Sequence, residues 1–391
     1  MKKSVFIKSA SLRFMASAFP VLIIQILIFP SIAQNIDSGI YGFIVTVYSF
    51  LSLVPGTLGN SLLNLRLVHD VDWGHSNEQD FSIVLVIVST ASFLFGAIFL
   101  LVYNYISILS ALLLCTTAAV WCIREYALVK YLCKVDYVSY LKNSAVMCFG
   151  YAIGYALFRV GCDWAVIFLL GQLASLVFLR LTTKIFSIKR PSSFFNTVVK
   201  EASQLTFSGF LLRAVTYCDR LVLYPLIGGT SVAIYYAATL VSKIINMIAV
   251  ALNSVVLTSL AKKTDEDKHS FYVTLGSSFV VCVVCYVIIM VAAPVILGVL
   301  YPQFLSDALS LVPVTAAASL LAVVTSLISP YVLRFRSMKW QIVGPLTSLV
   351  LYLTLALTLF LNFGLFGFAV GALLAELCKL IVQIIIYIFA Q

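Results

Sequence analysis

Charge is what this chain of 391 residues has least of: 10% of it is Asp, Glu, Lys or Arg, with only 15 acidic residues and three histidines. Soluble domains carry about a quarter of their residues as charges, so a water-soluble enzyme is excluded. No GxxxxGK[ST] phosphate loop occurs, which argues against a built-in ATP motor. Ten-residue stretches of alternating polarity are missing as well, and with them the signature of a transmembrane barrel. A hydrophobic share of 62% excludes a disordered chain, since disorder needs low hydrophobicity.

What is there is a series of long apolar runs, giving a mean hydropathy of +1.09. A helix needs roughly 20 apolar residues to cross the hydrocarbon, and about twelve stretches meet that length: 12–33, 40–62, 81–103, 106–123, 139–158, 163–181, 203–227, 232–256, 271–293, 308–333, 341–361 and 365–389. The expected fold is an all-α polytopic membrane protein. Orientation follows from Lys and Arg in the short loops. With both termini cytoplasmic, about 20 of the 25 cations fall in cytoplasmic segments, among them Lys2, Lys3, Lys130, Lys134, Lys142, Lys262, Arg334 and Lys339. Only Arg159 falls outside, and Arg213, Arg220, Lys243 and Lys379 lie within spans.

The net charge of +10 reflects this asymmetry and attraction to anionic head groups, not nucleic-acid binding. The basic start Lys2-Lys3 imitates a secretory signal, but the apolar run to Ala33 is too long for one and reads as an uncleaved first helix. Cys282 and Cys285 form a CxxC inside an apolar span and read as packing thiols. His69 and His75 share a loop with Asp70, Asp72, Glu78 and Asp80, which reads as a solvated acidic loop. No metal and no cofactor are expected.

The longest basic connection divides the spans six and six, giving an N-terminal lobe 1–183, a basic cytoplasmic linker 184–202 and a C-terminal lobe 203–391. Six spans per half is even, so the halves are expected as parallel repeats about the membrane normal. A faint echo supports this: Phe29-Pro30-Ser31-Ile32 and Gly39-Ile40-Tyr41 flank the first turn, and Tyr224-Pro225-Leu226-Ile227 and Ala233-Ile234-Tyr235 flank the corresponding turn of the second half. Prolines 20, 55, 294, 313 and 330 lie within or at the ends of spans and permit bends.

Ionisable groups inside spans are costly and by default mark function. At 1.5 Å per residue, Arg213, Lys243 and Glu376 all come out about 15 Å deep, near the midplane, with Arg220 about 10 Å beyond Arg213 and Lys379 one turn from Glu376. Tyr217 lies beside Arg213 and Arg220 on one helix face. Tyr235, Thr239, Ser242, Asn246 and Asn253 follow helical spacing around Lys243, and Glu376, Lys379, Gln383 and Tyr387 form a stripe on the last span. Two readings stand. Asp219 and Glu376 pair with neighbouring cations and merely join helices, or the two surplus cations serve a visiting anion, because an uncompensated buried charge is costly. Arginine suits bidentate capture of phosphate or carboxylate. Asp219 and Glu376, the deep acids, are candidates for a coupling proton or cation.

Short outer loops, holding Asp37, Arg159, Asp163 and Asp307 as nearly all their charge, argue against a glycan polymerase or ligase, and the missing filter repeat argues against a channel. Transport by alternating access fits best. Three segments then carry a resemblance. Phe29 to Gly42 with Leu58-Gly59-Asn60-Ser61-Leu62, Asp219-Arg220-Leu221-Val222-Leu223 with Val232-Ala233-Ile234-Tyr235-Tyr236-Ala237, and Phe363-Gly364-Leu365-Phe366-Gly367 together resemble bacterial polysaccharide repeat-unit flippases of the multidrug, oligosaccharidyl-lipid and polysaccharide exporter superfamily. The resemblance implies a flippase for undecaprenyl-pyrophosphate-linked O-antigen or capsule units in a bacterial inner membrane. It further implies a coupling proton or Na+, surrounding membrane lipids, and the polysaccharide polymerase and chain-length machinery as partners. Arg213, Arg220, Lys243, Lys379, Tyr217, Tyr235 and Asn246 are the expected substrate-binding residues. The alternatives are a drug or metabolite antiporter of the same superfamily and, in the enzyme class, a membrane glycan polymerase or ligase. One departure is that the deep charges lie almost wholly in the second half, with Arg13 the main cation on the first helix.

Overall fold

A computed structural model describes residues 3–69, 78–103, 107–183, 191–192, 194–243, 268–335 and 340–389, and among these every regular element is helical. In lipid each backbone polar group must find its partner internally, and a helix does so within one segment. The helices are α1 (Lys3–Leu22), α2 (Phe29–Ala33), α3 (Ser38–His69), α4 (Glu78–Val102), α5 (Ile108–Ala127), α6 (Val129–Cys133), α7 (Tyr137–Arg159), α8 (Ala165–Thr182), α9 (Phe195–Ile227), α10 (229–243), α11 (Lys268–Leu300), α12 (Leu305–Phe335) and α13 (Trp340–Phe389). Eight of the described helical stretches are long and apolar enough to cross a membrane.

The expected spans 139–158 and 203–227 fall on α7 and α9, whose polar and charged residues lower their hydropathy. The span 232–256 is helical to Lys243, and its remainder lies outside the described residues. The last two spans are the two halves of α13. They meet at Gly364, whose φ of 59° suits glycine. Beyond it the chain turns back on itself. A Cβ built on Gly371 would stand 2.5 Å from the Ala356 Cα, and one on Gly367 would stand 2.1 Å from the Leu359 carbonyl oxygen.

The chain packs as two compact units, Met1–Phe29 with Val47–Arg213, and Pro30–Thr46 with Ala214–Gln391. In the first, α7 lies along α8 and α1, and α5 packs on α4 and α8. Pro20 has no N–H to give the Ala16 carbonyl. The Ser144 hydroxyl takes that place at 2.6 Å, and α1 passes into a π-helical turn over Ile23–Ile28. Such turns break the regular ladder and are frequent at functional sites.

The acids expected in a solvated loop are largely engaged, which corrects that expectation for the residues described. Asp80 is buried and accepts the Ser192 backbone N–H at 2.8 Å and the Ser192 hydroxyl, while Glu78 pairs with Lys130. His69 Nε2 meets Glu201 at 2.9 Å. The start of α4 attracts carboxylates, since a helix N-terminus carries partial positive charge, and Ser192 reaches back to it. Asp70, Asp72 and His75 lie outside the described residues.

Asp136 caps α7 by accepting the Ser139 N–H at 3.0 Å. Those hydrogen bonds to Ser139 hold its carboxyl below the usual range. Its contribution is therefore full above the unfolded value of about 3.9 and is lost as pH falls through the lower folded value. Asp136→Ala is expected to cost about 1 kcal/mol at neutral pH. In thermal melts this deficit disappears in acid.

In the second unit α12 packs between α11 and α13. Phe271 stacks on Tyr387 with ring centroids 3.9 Å apart, and the Tyr331 hydroxyl meets Thr274 at 2.7 Å. The segment Pro30–Thr46 joins this unit through close backbone contact. A Cβ on Gly42 would stand 1.8 Å from the Gly229 carbonyl oxygen, and one on Gly229 would stand 2.0 Å from that of Gly39. Around this seam the Tyr41 hydroxyl donates to Tyr301 at 3.0 Å, and the Tyr41 ring stacks against Phe304. Gln34 Nε2 donates to the Leu300 carbonyl at 3.3 Å.

Candidate functional site

In the second unit, α9 and α10 meet at Asp219 and Arg220 on one helix and Tyr236 and Lys243 on the other. Asp219 and Arg220 are both buried, with Arg220 Nε 3.8 Å from Asp219 Oδ2. The Arg220 guanidinium lies 5.0 Å from the centre of the Tyr236 ring, and the Lys243 ammonium lies 4.7 Å from the same ring. One aromatic ring thus serves two cations. Each contact contributes about 0.5–2 kcal/mol, but a ring quadrupole neutralises neither charge.

Lys243 Nζ is buried and has no hydrogen-bond partner among the described residues, as is also true of the neighbouring Ser242 hydroxyl. Tyr236 is the residue that sequence spacing missed. The polar stripe in the sequence starts at Tyr235, whereas Tyr236 stands seven residues before Lys243, two turns along the same face. Tyr235 itself is 4% exposed and meets Phe368 edge-on at 5.5 Å, so it offers no open ring face here.

Glu376 and Lys379 pair one turn apart on α13 at 3.3 Å. No described contact joins them to the Tyr236 cluster. Asn246 and Asn253 lie outside the described residues. Tyr217 is half-exposed on α9.

Arg213 belongs to the first unit. Its Nη1 donates to the Ser52 carbonyl at 3.3 Å, beside Gly56. Pro55 disturbs the α3 ladder at this level, and Gly56 leaves room for the guanidinium. A Cβ on Gly56 would stand 3.1 Å from Arg213 Nη1, the far end of a flexible side chain. One on Gly59 would stand 2.5 Å from the Cys122 carbonyl oxygen, which is fixed. Gly59→Ala is therefore expected to cost about 1–3 kcal/mol by overpacking, whereas Gly56→Ala moves Arg213 and costs little. Melting points of the two purified variants check this contrast.

The first unit also holds a buried polar network that span counting missed. Arg124 Nε donates to Gln172 Oε1 at 2.9 Å, Gln172 Nε2 donates to the Tyr151 hydroxyl at 2.9 Å, and Arg124 Nη1 pairs with Glu125 at 2.9 Å. The apolar run ends at Ile123, yet the helix continues to Ala127 and draws Arg124 inward. Its charge is matched by Glu125, so this network joins helices and leaves no surplus for a ligand. Lys243 differs in having no such acid beside it among the described residues.

No family model matches the chain, and no curated protein matches it in sequence. Similarity appears in three dimensions. A lipid II flippase, MurJ, in an inward closed conformation, superposes with a TM-score of 0.70 at 12% identity, over 98% of this chain and 87% of that one. An inward-facing multidrug resistance MATE family transporter of the MOP superfamily gives 0.67 at 14% identity, over 96% of each chain. A MOP superfamily transporter from Pyrococcus furiosus, described by the reverse polarity of its binding pocket, gives 0.62 at 11% identity, over 97% of this chain and 94% of that one. The chain therefore has an all-α, multi-pass membrane fold shared with MOP superfamily transporters.

Proposed function

We propose that this protein is a flippase moving undecaprenyl-pyrophosphate-linked oligosaccharide, an O-antigen or capsular repeat unit, across a bacterial inner membrane by alternating access. The observation that carries the reading is the Lys243 ammonium, buried on the Tyr236 face with no acceptor among the described residues while both deep acids face other cations. A pyrophosphate supplies the missing negative charge and several acceptors, and charge-assisted bonds of this kind are the strong ones.

Lys243 holds the anion with Arg220 beside it at the Tyr236 ring, Arg213 and Lys379 are further candidate contacts for the cargo, and the half-exposed Tyr217 stacks on a sugar ring. Tyr235 joins only when its contact with Phe368 opens, and Asn246 is the remaining polar candidate. Asp219 and Glu376 take the coupling proton or Na+. In this reading the lobes are 1–183 and 203–391 about the linker 184–202, both termini are cytoplasmic, and the polyprenyl tail stays in lipid while its head group crosses. The product is handed to a polysaccharide polymerase and chain-length machinery. Two conformations open to opposite sides, with cargo and ion binding them unequally, complete the cycle.

A likeness in fold to a multidrug transporter makes drug export the rival. A cationic drug is held by an acceptor without a partner, whereas the buried charge without a partner among the described residues here is the Lys243 ammonium. Binding to the purified protein separates the two. Undecaprenyl pyrophosphate is expected to bind at least ten times more tightly than undecaprenol. Equal binding of the two, or tighter binding of a lipophilic cation, overturns the reading.

A further inference from the structure

On the first unit, α7 and α8 leave a groove of about 370 Å³ between them. Val146, Gly150 and Ile153 of α7 face Leu173, Val177 and Leu181 of α8 across it, and the lining is apolar throughout. The helices run antiparallel in a definite register. A Cβ on Gly154 would meet the Ile167 Cα at 2.6 Å, and one on Gly150 would meet the Leu170 carbonyl oxygen at 2.6 Å and the Gly171 Cα at 3.0 Å. Four residues back on α7 thus correspond to four residues forward on α8. Continued by two turns, that register sets Lys142 level with Leu179 and hence beside Arg180.

Lys142 stands one turn before Val146 on the groove face of α7, and Arg180 stands one turn after Val177 on α8. Both are exposed. Asp136 interacts with Lys142 but also with Lys134, and its carboxylate is engaged in capping α7. The groove therefore has a wholly apolar length and a cationic end supplied by both of its helices.

We propose that this groove is a binding site for an anionic membrane phospholipid, with an acyl chain between α7 and α8 and the phosphate held between Lys142 and Arg180. Basic pockets between membrane helices recognise anionic head groups. Arginine and lysine together give a forked contact and a point charge on one phosphate. The lining offers a tail no polar group, so what discriminates between lipids is the charge at the end. The site is separate from Lys243 and stands whatever the cargo is.

The test is native mass spectrometry of the full chain with equimolar phosphatidylglycerol and phosphatidylethanolamine. About ten- to thirty-fold preference for retaining phosphatidylglycerol is expected from two cations. Lys142→Gln with Arg180→Gln is expected to bring the preference to parity, and Val177→Trp to lower retention of both lipids by filling the groove. Parity in the unaltered protein, or a preference that survives the double substitution, overturns the proposal. So does displacement by undecaprenyl phosphate below equimolar ratio, which would assign the groove to a polyprenyl carrier. A phosphatidylglycerol with a photoreactive acyl chain gives a second reading on the unaltered protein. Cross-links confined to α7 and α8 support the site, and cross-links spread evenly over the helices contradict it.

Discussion

Lys243→Met is expected to abolish export while leaving the protein in the membrane at its usual level and slightly more stable. The two effects have opposite signs for one reason. A buried ammonium without an acceptor costs the folded state, and replacing such a charge by an apolar side chain of similar volume is neutral or favourable. The same ammonium, once an anion arrives, makes a charge-assisted contact of about 1.5–3 kcal/mol, or about 10- to 150-fold in affinity. A purely structural lysine behaves otherwise, since its removal lowers stability and spares binding. Melting temperature and undecaprenyl-pyrophosphate affinity, measured on one preparation, distinguish the roles. Lys243→Arg, which keeps the charge over Tyr236, is expected to retain most binding.

Gly42→Val is expected to reduce export by about 5- to 150-fold by a different route. The Gly42 and Gly229 backbones touch, so no side chain fits between them without parting the segment Pro30–Thr46 from α10. Parting them also strains the Tyr41–Tyr301 bond and the Tyr41–Phe304 stack. Overpacking of this kind costs about 1–3 kcal/mol. A cost borne by one conformation alone shifts a two-state equilibrium by about 5- to 150-fold. In the proposed alternating-access cycle transport needs both conformations, whereas cargo binding needs one. Export is therefore expected to fall while undecaprenyl-pyrophosphate binding persists. Loss of binding together with export would mean that the substitution unfolds the unit.

The helices themselves were legible because hydropathy reports what lipid demands of a segment, and the turn in α13 was visible as Gly364 between two apolar runs. Asp219, Arg220, Lys243 and Glu376 stood out because charges are scarce in such runs. What remained hidden depended on contacts between segments. Tyr236 and Tyr235 are adjacent, and only the rotation of α10 decides which ring meets Lys243. Arg124 lies just past an apolar run and reads as a loop cation, yet α5 continues and Gln172 on α8 receives it. Asp80 reads as solvated until Ser192, more than a hundred residues later, folds over it. The Ser52 carbonyl that Arg213 meets lies on α3, far away in sequence, and spacing along α9 alone does not bring the two together.

The measurement that bears most directly on the central claim is the side of the inner membrane on which lipid-linked oligosaccharides collect when the gene is deleted. Complete single units trapped on the cytoplasmic face are predicted, because translocation is then the missing step. Single units accumulating on the outer face would contradict the account, since they would have crossed without this protein.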